Sequence, residues 1–140
     1  MREILFRGKS ISDGQWQYGD LLNVGVDYDY AIRTYGGREH GQVNAVNGNT
    51  VGQYTDLTDK NGKKIFEGDI VRGRHWTSYD NKNIKEWHLW RVDWSEKSGL
   101  ITFVDSPTTN ARLSIHDFAD FEEVEVIGNI HDNPELLKGE

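Results

Sequence analysis

Alternation of apolar and polar side chains, not helical spacing, dominates this chain. Residues 86–94 (EWHLWRVDW) show it best. His88, Trp90, Val92 and Trp94 share one face, and Trp87, Leu89, Arg91 and Asp93 share the other. Successive strand side chains point to opposite faces, so the first set predicts a core-facing strand. Residues 100–104 (LITFV) follow a Lys97-Ser98-Gly99 turn and are expected to pair back as a hairpin. Shorter strands are predicted at 3–7, 15–22, 30–35, 42–46, 50–58, 63–67, 70–76 and 123–130, the last bulged at Gly128. Between them stand Gly8, Ser12-Asp13-Gly14, Gly36-Gly37, Asn47-Gly48, Asp59-Lys60-Asn61-Gly62, Gly68-Asp69 and Pro107. These residue types accept tight turns or positive φ. Residues 77–85 read as an exposed loop. Ser114 and Asp117 predict one helical turn over 114–119, and Asn133-Pro134-Glu135 opens a short terminal helix.

No segment sustains a 3.6-residue amphipathic period, which argues against a helical bundle and a βαβ fold. The expected class is all-β, in one domain over 1–140, with 1–49 and 50–137 as sub-units around one core. Composition supports this. The apolar fraction is 36%, but five Trp, six Tyr and five Phe supply large side chains, and 15 glycines suit many short strands and turns. A chain of this size hides about 68% of its unfolded surface, enough for a real core. One weak echo, Tyr18-Gly19-Asp20-Leu21-Leu22 against Phe66-Glu67-Gly68-Asp69-Ile70-Val71, is best read as coincidence.

Charge and chemistry narrow the function classes. The formal net charge is −7. Residues 106–140 carry only Arg112 and Lys138 against eight acids, whereas basic residues gather in 72–91. There is no cysteine, so disulfides, thiolate metal sites and cysteine nucleophiles are excluded. No apolar run is long enough for a membrane span, and no signal-peptide pattern opens the chain, so a cytoplasmic protein without membrane contact is expected. Asp56, Asp59, Asn61 and Gly62 fail as an EF-hand, because Leu57 and Gly68 fall where the first and twelfth loop ligands belong. His40, His75, His88, His116 and His131 form no HxxxH or HExxH pair. His116-Asp117 and His131-Asp132 place neighbours on opposite faces of a strand. GxSxG, GxxxxGK[ST] and GxGxxG are all absent. No catalytic residue, cofactor or metal ligand is therefore expected.

Three blocks carry a family pattern: RxxxFRGK at 2–9 with WQYGDL at 16–21, TVGQYTDLTDKNGKKIFEGDIV at 50–71, and EVIGNIHDNPELL at 125–137. Together they resemble the YopX-like family of proteins from phages and prophages of Gram-positive bacteria. The resemblance implies a barrel-like all-β fold with SH3-like features in the second half, and expression in a bacterial cytoplasm. It implies no defined activity and no catalytic residues.

The pattern residues also have a structural reading. Gly62 and Gly68 suit positive φ or close backbone approach. Asp20 and Asp69 suit Asx-type turns, Tyr54, Phe66, Ile70 and Val71 suit the core, and Asn129 suits loop backbone. The functional alternative is a binding groove lined by Gly19, Asp20, Gln53, Tyr54, Gly68 and Asp69. The first expectation is a non-enzymatic accessory protein acting through an unidentified protein partner, or through self-association. The second is nucleic-acid binding by Arg72, Arg74, Trp76, Tyr79, Lys85 and Trp87, a basic and aromatic set opposed by the net charge. A third is an acidic surface at Asp120, Glu122, Glu123 and Glu125 that imitates phosphates.

Overall fold

The computed structural model describes residues 3–23, 30–34, 41–79, 82–95, 100–105, 112–114 and 121–137. Side chains are described for those among 3–74, 89–93 and 123–137. Eleven strands are present among the described residues: β1 (Phe6–Lys9), β2 (Trp16–Asn23), β3 (Tyr30–Arg33), β4 (Val43–Val46), β5 (Gly52–Thr58), β6 (Lys64–Phe66), β7 (Asp69–Tyr79), β8 (Lys82–Ser95), β9 (Leu100–Asp105), β10 (Arg112–Ser114) and β11 (Phe121–Asn129). Two 3-10 turns, Gly48–Thr50 and Pro134–Leu137, are the helical elements among the described residues.

The strands form two antiparallel sheets, ordered β4-β3-β2-β1-β5-β6 and β10-β9-β8-β7-β11. The all-β expectation holds, but neither sheet closes into a barrel among the described residues. By compactness the chain divides into residues 1–56 and 57–140, at a point inside β5.

In the first unit, β1 lies between β2 and β5, with Phe6 in register with both Gly19 and Gln53. The chain beyond β1 then turns onto β4. Ser10 bridges Val46, Ile11 N–H donates to Ala45 at 3.0 Å, and Asn47 N–H donates to Lys9 at 2.9 Å. These bonds occupy much of the outer edge of β4, the kind of edge that would otherwise invite pairing with another chain. Ala31, Ile32, Val46 and Tyr54 are buried here. Gly8, expected to turn the chain, instead lies inside β1 against Val46. The register explains this: a larger residue at that position would collide with the Val46 side chain.

In the second unit the predicted core face is correct where it is described: Trp90 and Val92 are buried, and they pack with Ile65, Val71 and Val124. The expected loop at 77–85 is replaced by a long hairpin. Strand β7 runs to Tyr79 and β8 starts at Lys82, in continuous register from Ile70↔Arg91 to Tyr79↔Lys82. Polar turn-forming residues suggested a loop, yet the two strands pair regardless, because each extends a ladder already fixed by the buried segment. Strand β9 pairs back on β8 as expected. Ser114 lies in β10, and the rest of the expected helical turn (115–119) falls outside the described residues. Strand β11 carries the bulge expected near Gly128 and a second irregularity between Glu122 and Glu125. No helix among the described residues is long and apolar enough to cross a membrane.

Candidate functional site

The motif carboxylates are the most informative polar groups. Asp59 opens the turn between β5 and β6 and is 7% exposed. Its Oδ1 accepts from the backbone N–H of Asn61 (2.8 Å) and Lys63 (2.9 Å), and its Oδ2 from that of Val126 (2.9 Å). Lys60 N–H donates to the Val124 carbonyl at 2.8 Å. The turn therefore caps the outer edge of β11. Burial pushes the Asp59 carboxyl up, but the Val126, Lys63 and Asn61 amides and the Lys63 charge outweigh it and hold the group below the usual carboxylate range. Both oxygens are committed to the backbone.

Asp69 is 1% exposed and accepts from Phe66 N–H at 2.7 Å, closing the β6–β7 turn. Gly68, with φ of 88°, occupies the left-handed region that turn requires. Its N–H donates to Val92 (2.8 Å) and its carbonyl accepts from Ile130 (2.9 Å). Asn129 acts similarly: its Oδ1 accepts from His131 N–H (3.0 Å) and Asp132 N–H (2.9 Å). Asn133, expected to cap the terminal helix with its side chain, instead uses that side chain to accept from Asn129 N–H at 3.2 Å.

Gly19 and Asp20 differ from Gly68 and Asp69. They lie within β2, not in a turn, so the sequence echo has no conformational counterpart and the Asx turn expected at Asp20 is absent. Gly19 is required by crowding: a Cβ there would sit 1.9 Å from the Arg33 carbonyl oxygen. Register brings Gly19 and Gln53 to either side of Phe6, while Tyr54 is buried. Gly68 and Asp69 belong to the second unit.

The basic stretch meets acids. Arg72 is in register with Glu125, and Arg74 with Glu122, across the β7–β11 ladder. Arg74 also reaches Glu123 at 3.5 Å, and Lys60 reaches Glu125 at 3.3 Å. The basic segment and the acidic segment thus lie beside each other. In the β7–β8 ladder, Trp76 is in register with Lys85 and Arg74 with Trp87. The side chains of Trp76, Tyr79, Lys85 and Trp87 lie outside the described residues, as does that of Glu122. Asp120 lies outside them altogether.

A different cationic and aromatic group emerges on β1 and β2. The Arg7 guanidinium sits 4.6 Å from the centroid of the Trp16 ring, and the Lys9 ammonium 5.7 Å from it. Arg7 is opposite Tyr18 and Lys9 opposite Trp16, so all four share one face of the sheet. In the sequence Gly8 reads as a break, which hides this group. The signal was present as Arg7-x-Lys9 and Trp16-x-Tyr18, two period-two pairs on strands joined by a short turn.

The profile of the family described as YopX protein matches residues 5–138. A search of curated proteins found no match. Among solved structures, the chain is similar to the crystal structure of protein EF1440 from Enterococcus faecalis. Identity is 22%, coverage is 98% of this chain and 99% of the other, and the TM-score is 0.58.

Proposed function

We propose that this chain, which belongs to the YopX family, is a non-enzymatic accessory protein that works through contacts with a protein partner. The observation that carries the reading is the use made of its polar pattern residues. Asp59, Asp69 and Asn129 spend side-chain oxygens on backbone N–H groups, as turn staples do. Contact surface is offered elsewhere, by the exposed apolar side chains of Ile4, Ile11 and Val43 in the first unit. Expression from phage or prophage genes in a bacterial cytoplasm belongs to the same proposal, supported by the sequence pattern. So does a barrel-like, SH3-like description of the fold. It is supported by the antiparallel β7–β8–β9 meander with bulged β11 returned to β7, and by the turn of residues 10–11 onto β4.

Nucleic-acid binding through 72–91 is the weaker reading, because Glu122, Glu123 and Glu125 flank Arg72 and Arg74. Adjacent carboxylates offset the local positive potential that phosphates need. The same pairing weakens the reading of β11 as an acidic mimic.

Affinity capture from lysogen-bearing bacterial cells tests the proposal. A stoichiometric protein partner is expected, or self-association by light scattering, and either is lost on Ile11→Asp and Val43→Asp. A strictly monomeric protein that captures no partner would contradict it.

A further inference from the structure

We propose that the β1–β2 face carrying Lys9, Trp16, Tyr18 and Arg33 binds a short stretch of single-stranded nucleic acid. This goes beyond the protein-contact reading and stands independently of it. Register defines the face. Lys9 faces Trp16, Arg7 faces Tyr18, and Asp20 faces Arg33 on β3. Strand alternation places Trp16, Tyr18 and Asp20 on one side of β2, so Lys9, Arg7 and Arg33 share that side with both aromatic rings. The described burial agrees: Tyr18 is 45% exposed, Gly19 is buried and Asp20 is exposed.

The chemistry of that face is aromatic surface set among cations. Arg7 is buried, and its guanidinium lies against Trp16, which fixes the indole in place. Tyr18, one strand pitch along at about 7 Å, presents a phenol ring. Bases stack on such rings regardless of sequence, and the Lys9 ammonium over Trp16 and the exposed Arg33 supply charge for a backbone. Arg7 is buried, so the accessible charges of the face are Lys9 and Arg33 against Asp20. Charge complementarity therefore favours a polyanion with flat apolar faces. The net charge of −7 opposes approach, but six of those charges are the surplus of residues 106–140. At physiological salt, exposed charges farther than about 8 Å are largely screened. Weak, salt-sensitive binding is the consequence.

Fluorescence anisotropy of labelled dT20, rU20 and a 20-base-pair duplex, titrated with the full chain at 50 and 200 mM salt, tests this. Binding to a single strand is expected, with a loss of roughly 7-fold between the two salts, for two phosphates neutralised. Preference between dT20 and rU20 identifies DNA or RNA as the natural strand. Tyr18→Ala should weaken binding about 10-fold. Arg33→Glu should weaken it further, and Arg74→Ala should leave it unchanged, all with unaltered far-ultraviolet circular dichroism. Three results would each overturn the proposal: no salt-dependent binding at about 100 μM protein, equal binding to the duplex, or binding that Arg74→Ala removes and Tyr18→Ala spares.

Discussion

Arg74 and Glu123 meet at 3.5 Å across the β7–β11 ladder, and Glu123 holds a left-handed backbone, with φ of 56°, at that contact. The left-handed conformation costs a non-glycine residue about 1–2 kcal/mol. The pair is partly exposed, so it returns no more than about 1 kcal/mol. Glu123→Gly should therefore leave stability within about 0.5 kcal/mol of wild type, since relief of backbone cost offsets the lost ion pair and the entropy of glycine. Glu123→Val, with a branched side chain in the same conformation, should lose about 2 kcal/mol. Urea unfolding midpoints of the two variants check this.

Asp59 predicts a pH dependence with a definite sign. Its folded carboxyl is held below the ordinary range, so the unfolded chain takes up the proton first as pH falls. The stabilisation it gives is complete above about pH 4, the ordinary carboxylate value, and is lost as pH falls through the lower folded value. Asp59→Asn lacks this contribution. The stability gap between wild type and Asp59→Asn should be wide at pH 6 and narrow steadily below pH 4. A gap that stays constant down to pH 2.5 would show that the carboxylate form is not what the three amides prefer.

Gly19→Ala should be costly despite its small size. The new methyl group would sit 1.9 Å from the Arg33 carbonyl oxygen, a backbone atom in the paired strand. Strands β2 and β3 would have to separate locally, at about 2–3 kcal/mol. Thermal melting compares it with Gly14→Ala, where no atom lies within 4 Å of the new methyl group and only the backbone conformation, φ of 72°, resists the change. Gly14→Ala should cost about 1 kcal/mol.

Trp90 anchors the second unit: it is fully buried and packs with Ile65, Val71, Val92 and Val124. Trp90→Ala should remove about 3–5 kcal/mol, against less than about 1 kcal/mol for the half-buried Leu89→Ala on the opposite face. A comparable loss for both would place the core on the wrong side of β8.

Much of this architecture was legible because burial imposes alternation. Trp90 and Val92 announced the inner face of β8, and Gly68-Asp69 and Asn61-Gly62 announced their turns, because few other residues suit those backbones. What the sequence concealed depended on partners distant in the chain. The hairpin through 77–85 is polar, and only its continuation from the paired Ile70–Gly73 segment makes it a strand. Gly8 looked like a break because its neighbour Val46 lies 38 residues away. The neutralisation of Arg72 and Arg74 by β11 could not be read before the register was known. The stacking of Arg7 and Lys9 on Trp16 was hidden for the same reason.

For a non-enzymatic role, the polar pattern residues must serve the backbone and not a substrate. Urea unfolding of Asp69→Ala tests that directly, because the substitution strips Phe66 N–H of its buried acceptor. Replacing a residue held for catalysis commonly leaves stability unchanged or raises it, whereas removing a buried staple lowers it. A loss of about 2–3 kcal/mol with the cooperative transition retained is expected; an Asp69→Ala protein as stable as wild type, or more so, would overturn the non-enzymatic reading.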